Sequence, residues 1–160
     1  MSPAEIVQLI KEKFPSVILQ EDLVSLEPSI TVNRDEWRPL ALFLRDDTRL
    51  DFKALMCLSG MDYKKDLGVV YHLHSMTKMH RMAVKMNVTR EDAELPTVYD
   101  IWRTAEWHER EAYDLYGIVF INHPDLRRIL LPDDWQGYPL RKDYVTPEMY
   151  NDMPVPYQGP

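Results

Sequence analysis

Glu109 to Val145 reads EREAYDLYGIVFINHPDLRRILLPDDWQGYPLRKDYV, and no other stretch of the chain says as much about its fold. It begins on a helix face, passes Gly117 and the apolar run 118–121, and then crosses Pro124, Pro132 and Pro139 without resettling into a hydrophobic period. Each proline lacks an N–H and biases its predecessor toward extended backbone, so no packed helix or central strand is expected past residue 121. Yet Leu126, Ile129, Leu130, Leu131, Trp135, Tyr138, Leu140 and Tyr144 are too apolar for a merely solvated segment. A stretch that cannot fold on itself but carries anchors is expected to lie on something else, and the expected surface is another protein. Seven of the twelve prolines follow residue 121, which divides the chain into a body, 1–120, and an extended partner-binding tail, 121–160.

Upstream, Thr97 is expected to open a long amphipathic helix whose stripe runs Val98, Ile101/Trp102, Ala105, Ala112 and Leu115/Tyr116, with Gly117 as its stop. The clearest sheet precedes it. Residues 69–76 alternate, with Val69, Tyr71 and Leu73 on one face and Val70, His72, His74 and Met76 on the other. Residues 81–88 alternate more cleanly, with Met82, Val84, Met86 and Val88 inward, and 77–80 form the loop between the two strands. A helix over 3–14 starts with Ser2 as N-cap and Pro3 in its first turn. Residues 17–19 and 23–26 suggest a short hairpin, 29–32 a brief strand, and Asn33 or Asp35 caps a helix through Trp37, Leu40, Ala41 and Leu44. Residues 52–58 are apolar and fit a helix or a strand equally, and 59–62 fit a turn or the start of a strand. The class expected is α+β: a mixed sheet packed with helices in two layers, followed by the proline-rich tail.

Composition excludes several classes of function. A hydrophobic fraction of 45% and a charged fraction of 28% belong to a globular protein, and 160 residues suit one domain with an appendage. The net charge of −7 argues against nucleic acid or anionic lipid as a partner, since neither Arg127-Arg128 nor Arg141-Lys142 makes a basic stripe. No apolar run approaches the roughly 18 residues of a membrane span, and no basic-then-apolar signal opens the chain. The expected place is the cytoplasm or the soluble face of a membrane protein. Cys57 stands alone, which excludes an intrachain disulfide, an all-cysteine iron–sulfur cluster and a four-cysteine zinc site. Within Ala54–Leu58 it is expected to be a small buried hydrophobe.

Candidate chemistry is sparse. His72 and His74 share a strand face with His80 nearby, but no Cys, Asp or Glu at ligand spacing joins them. His108 and Glu111, at i and i+3, resemble half of a di-iron bundle motif whose other half is missing. Asp46-Asp47 and Asp133-Asp134 are common turn composition, and no GxGxxG, Walker loop or GxSxG elbow occurs. An independent small metal-binding protein or enzyme using His72/His74 or His108/Glu111 is the alternative that these residues leave open.

Glu109-Arg110-Glu111, Asp114, Leu115-Tyr116, His123, Arg127 and Ile129 fall at the spacing that marks the thirty-kilodalton-type subunit, or C subunit, of respiratory complex I, the NADH:quinone oxidoreductase. The continuation, residues 123–135 and 139–144, resembles the same family throughout, with departures at Gln136, Tyr138 and Val145. The likeness is strong over 97–144 and weaker before it. It implies a structural subunit of the hydrophilic, peripheral arm, on the cytoplasmic face of the inner (plasma) membrane, packed on the larger neighbouring subunit that helps to form the quinone site. It also implies no catalytic, metal or cofactor-binding residue in this protein, with flavin and iron–sulfur clusters in other subunits. The electron donor, NADH, ferredoxin or another carrier, would be chosen by polypeptides other than this one. The residues expected to bind partners are Glu109, Arg110, Glu111, Asp114, His123, Arg127, Arg128, Trp135, Tyr138, Arg141 and Tyr144. Among them Trp135 and Tyr138 are candidate aromatic anchors, and Arg127, Arg128 and Arg141 candidates for carboxylate pairs across an interface.

Overall fold

The computed structural model describes residues 1–155, so the last five residues of the expected tail lie outside the described residues. Helix α1 (Pro3–Lys13) starts with a reciprocal cap: Ser2 Oγ accepts the Glu5 N–H at 3.3 Å and the Glu5 carboxylate accepts the Ser2 N–H at 2.7 Å. Strand β1 (Ile18–Asp22) pairs with β2 (Ser29–Val32) and not with 23–26 as the sequence suggests. The Asp22 carboxylate accepts the Val24 and Ser25 N–H groups at 3.3 and 3.1 Å, and that local turn ends the strand. Asn33 then accepts the Asp35 N–H at 3.1 Å and starts one tight turn that leads into α2 (Trp37–Asp46), with Pro39 tolerated in the first turn.

The ambiguous stretch becomes β3 (Ala54–Asp62), a strand that absorbs 59–62 as well. With β4 (Asp66–Ser75) and β5 (His80–Thr89) it forms an antiparallel meander, and β2 joins β5 in parallel, so the five-stranded sheet is mixed in the order β1-β2-β5-β4-β3. The alternation expected for β4 and β5 is observed: Val69, Tyr71, Leu73, Met82, Val84, Met86 and Val88 are buried against the helix layer. The opposite face carries His72, His74, Arg81 and Lys85. Ring contacts tie the helices to the sheet and to each other, Trp37 to Tyr71 at 4.7 Å and Phe14 to Phe43 at 5.7 Å. Cys57, expected to be buried, is half-buried, with its Sγ 3.3 Å from Ser59 Oγ.

The long helix expected from Thr97 is shorter. After β6 (Glu94–Pro96) the backbone makes successive turns, and α3 spans only Ala105–Tyr116. In a continuous helix the Ile101 N–H would bond the Thr97 carbonyl. Arg38 takes that carbonyl at 2.6 Å instead, and the Ile101 N–H turns onto Val98 O at 3.0 Å. The stripe is still buried at Val98, Ile101, Trp102, Ala105 and Ala112, but on a bent path. Strand β7 (Val119–Ile121) runs parallel to β6, and beyond it only turns precede a small hairpin, β8 (Met149–Tyr150) and β9 (Met153–Pro154).

Candidate functional site

Helix α3 is where the charged residues of the sequence motif meet the irregular segment that follows. Its last four carbonyls have no partner within the helix. Each finds one outside it. Gly117 N–H takes Tyr113 O at 2.8 Å, and Arg128 Nη1 takes Asp114 O at 3.1 Å. Leu140 N–H takes Leu115 O at 3.1 Å, and Arg141 Nε takes Tyr116 O at 2.6 Å. Two guanidinium groups thus sit at the negative end of the helix dipole. The helix stops at Gly117 with φ 70°, and a Cβ there would collide with the Tyr138 ring, so both backbone and packing demand glycine.

Asp114 is fully buried. Its Oδ2 accepts the N–H groups of Ile129, Leu130 and Leu131 at 3.0, 2.7 and 2.9 Å, and its Oδ1 accepts from Arg128 Nη1 at 2.8 Å. Burial pushes its carboxyl up, but the Leu131 N–H, Arg128 and the Ile129 and Leu130 N–H groups outweigh it and hold it below the usual range. The second Arg128 amino group reaches the carbonyls of Trp135 and Gly137 at 2.9 and 3.2 Å. Arg110, also buried, donates to the Arg127 and Arg128 carbonyls at 3.2 and 3.1 Å. A third tether lies at the sheet, where Asp62 accepts from Arg90 at 2.6 Å and from the Lys142 N–H at 2.8 Å, while Arg90 also meets Asp143 at 3.0 Å.

Glu109 faces the other way. Fully buried, it accepts the Val98 N–H at 2.8 Å and the Thr97 hydroxyl. Burial pushes its carboxyl up to about 7, against the lowering effect of those two hydrogen bonds. His123 Nε2 lies 3.9 Å from it and donates to Glu106 O at 3.0 Å, while His123 Nδ1 accepts the Asp125 N–H at 3.1 Å. That pattern places the ring proton on Nε2.

These positions correct part of the sequence reading. Glu109, Arg110 and Asp114, expected to face a partner, are buried and satisfied within the chain, and His123, Arg128 and Arg141 are bound to it as well. The anchors expected to await another protein therefore hold the irregular segment on α3. Trp135, Tyr138 and Tyr144 are half-buried: Trp135 stacks on Tyr150 at 5.1 Å, and Tyr138 lies beneath Arg141 at 4.7 Å. Glu111 and Arg127 are the exposed members, and among the described residues the Arg127 side chain pairs with its neighbour Asp125 alone, at 2.9 Å. Sequence reasoning does not single out Asp62, Arg90 or Trp107. Trp107 is 60% exposed on the outer face of α3, with the Arg110 guanidinium 5.0 Å from its ring.

Two hollows open beside that face. One of about 190 Å³ is lined by Trp107, His108, Glu111, Ile129 and Leu130. The other, of about 230 Å³, lies between α3 and β3, with Cys57, Gly60, His108, Glu111, Leu115 and Leu140 in its walls. His72 Nδ1 is engaged by Glu27 at 2.9 Å, and among the described residues no three His, Cys, Asp or Glu side chains converge as a metal site.

Residues 30–150 match the family model described as respiratory-chain NADH dehydrogenase, 30 Kd subunit. The chain is 52% identical over 153 residues to the NADH-quinone oxidoreductase C subunit of Chloroherpeton thalassium, covering 94% of this chain and 64% of that one. With the C subunit of Chlorobium phaeobacteroides it shares 46% identity, over 93% of this chain and 92% of the relative. Solved structures are similar as well. A trypsin-resistant fragment of Nqo5 has a TM-score of 0.66 at 28% identity, over 79% of this chain and all of the fragment. A chain of the membrane-bound sulfane sulfur reductase, an archaeal respiratory membrane complex, has a TM-score of 0.72 at 27% identity, over 90% of this chain and 86% of that one.

Proposed function

The chain belongs to the 30 Kd subunit family of respiratory-chain NADH dehydrogenase, and from that premise we propose that it serves as the C subunit in the peripheral arm of a proton-translocating NADH:quinone oxidoreductase. In this reading it carries no flavin, iron–sulfur cluster or metal and has no active site of its own. It supports electron transfer to quinone by packing on the larger neighbouring subunit that helps to form the quinone site. One observation carries the proposal: the buried charges of α3 act on the chain's own backbone, fixing an irregular segment as one rigid outer surface. That is the construction of a scaffold. A lone cysteine supports the cofactor-free reading, because a cluster ligated by cysteines alone needs four. No described helix is long and apolar enough to cross a membrane. In this reading the protein is held on the cytoplasmic face by its neighbours, with segment 121–160 contributing what it does not use on α3.

The test is to purify the tagged full chain from its own membranes in mild detergent, and separately after expression alone. The first preparation should contain a quinone-site subunit and show NADH:quinone activity. The second should contain no stoichiometric iron or zinc and no visible chromophore. About one metal per chain in the second preparation would sink the cofactor-free reading and revive His72/His74 or His108/Glu111 as ligands.

A further inference from the structure

The two hollows beside α3 share His108 and Glu111, so they form one continuous surface. Its apolar walls are open to solvent: Trp107 is 60%, Leu130 63% and Leu140 50% exposed. The backbone that carries Leu130 and Leu140 is tethered, and Trp107 has a fixed neighbour. Trp107 lies against Arg110, whose guanidinium is fixed by two carbonyls of the following segment. Ile129 and Leu130 are presented by backbone N–H groups pinned on Asp114, and the Leu140 N–H is pinned on Leu115 O. An exposed aromatic and two aliphatic side chains on a surface whose backbone is already ordered cost less entropy on binding, which suits an interface hot spot.

Glu111 lies in the middle of this surface. The ion pairs of α3 go to Glu106, Glu109 and Asp114, and among the described residues none goes to Glu111. Among the described residues, no lysine or arginine lines either hollow. A carboxylate set among apolar walls must either remain hydrated or meet a cation when the walls are covered, because an unpaired buried charge is costly. It also repels acidic peptides, nucleic acid and anionic lipid headgroups.

We propose that this surface docks an apolar segment of a neighbouring protein subunit that carries one arginine or lysine, the basic side chain meeting Glu111 between Trp107 and Leu140. The proposal rests on the subunit reading above and deepens it. The contacting residues are the outward ones, whereas the buried Arg110 and Asp114 are positioning residues that act through them.

The experiment uses the full chain in its assembled complex, with a photoreactive phenylalanine derivative placed at position 107, 130 or, as a control on the tail, 144. Positions 107 and 130 should cross-link to one and the same subunit, on a peptide with an arginine or lysine among apolar residues. Glu111→Lys should weaken recovery of that complex on the order of 30-fold without changing thermal unfolding of the chain, and changing the mapped basic residue to glutamate should restore it. Cross-links from 144 alone overturn the docking surface and leave the subunit reading standing. Cross-links to lipid or to a second copy of this chain overturn it too. A chain that copurifies with no other subunit overturns the subunit reading itself.

Discussion

The sheet body and the segment clasped to α3 are held by opposite kinds of force. In the body, Trp37, Leu40, Tyr71, Phe52, Val84 and Met86 are fully buried, and stability comes from apolar area removed from water. Past residue 121 Leu126 packs only partly against the core, and Leu130 and Leu140 face solvent. There the polypeptide is fixed by its backbone: three N–H groups on Asp114, one on Asp62, and carbonyls on Arg110 and Arg128. An apolar core gives a stable shape that tolerates repacking. A carboxylate gripping successive N–H groups fixes position while leaving the side chains outside, where they can contact something else.

The largest effect expected of breaking this contrast is at its two centres. Trp37→Ala should cost the body about 3–5 kcal/mol and lower the thermal midpoint of the whole chain. Asp114→Ala should cost about 3 kcal/mol locally, because it strands Arg128 and three N–H groups. Hydrogen exchange separates the two. Asp114→Ala should raise exchange and protease sensitivity over 123–144 and leave β4 and β5 protected. If it loosens those strands to the same degree, the two regions are one cooperative unit and the contrast fails.

A smaller effect separates them by pH. Asp114 and Asp62 are held below the ordinary value of 3.8, so their grip is complete above that value and is lost as pH falls through their lower, folded values. Glu109 has the opposite sign. Its carboxyl is raised from 4.5 to about 7, so its share of stability is complete below 4.5 and is lost as pH rises toward 7, at most roughly 3 kcal/mol. Of the charged groups around it, Asp100 adds to the rise and Arg38 opposes it. Thermal unfolding of the full chain should therefore peak near pH 5 and decline toward pH 8. Glu109→Gln should flatten that decline, and an unchanged slope would remove Glu109 as its source.

Legibility follows the range of the forces. The Ser2 cap, the stop at Gly117 and the alternation of β4 and β5 are local, so the residues themselves announce them. The parallel β2–β5 pair is not local, nor is Asp62 reaching Lys142 across 80 residues, and no periodicity records either. The motif on α3 is visible in the sequence but its direction is not, since charge in a sequence suggests solvent. One signal is present: Glu109 falls between Ala105 and Ala112 on the apolar stripe, with Arg110 and Asp114 one turn apart beside it. Buried charge on a stripe face implies partners inside the chain.

The smallest effect expected is at neighbours of one chemistry. Arg127 and Arg128 are adjacent and the sequence suggests that both pair across an interface, yet Arg128 is half-buried and bound to Asp114 and the Trp135 and Gly137 carbonyls. A lysine at 128 keeps the charge but cannot span those acceptors with one planar fork, so Arg128→Lys should loosen 129–137 measurably in hydrogen exchange. Arg127 meets Asp125, two residues away and exposed, and such pairs contribute little once both side chains are ordered and salt screens them. Arg127→Lys should leave the thermal midpoint and exchange pattern of the isolated chain unchanged. Any effect of Arg127 must then be read in the assembled complex, as a change in association rate that fades with added salt. If Arg127→Lys destabilises the isolated chain as much as Arg128→Lys, the difference in burial between the two has no energetic meaning.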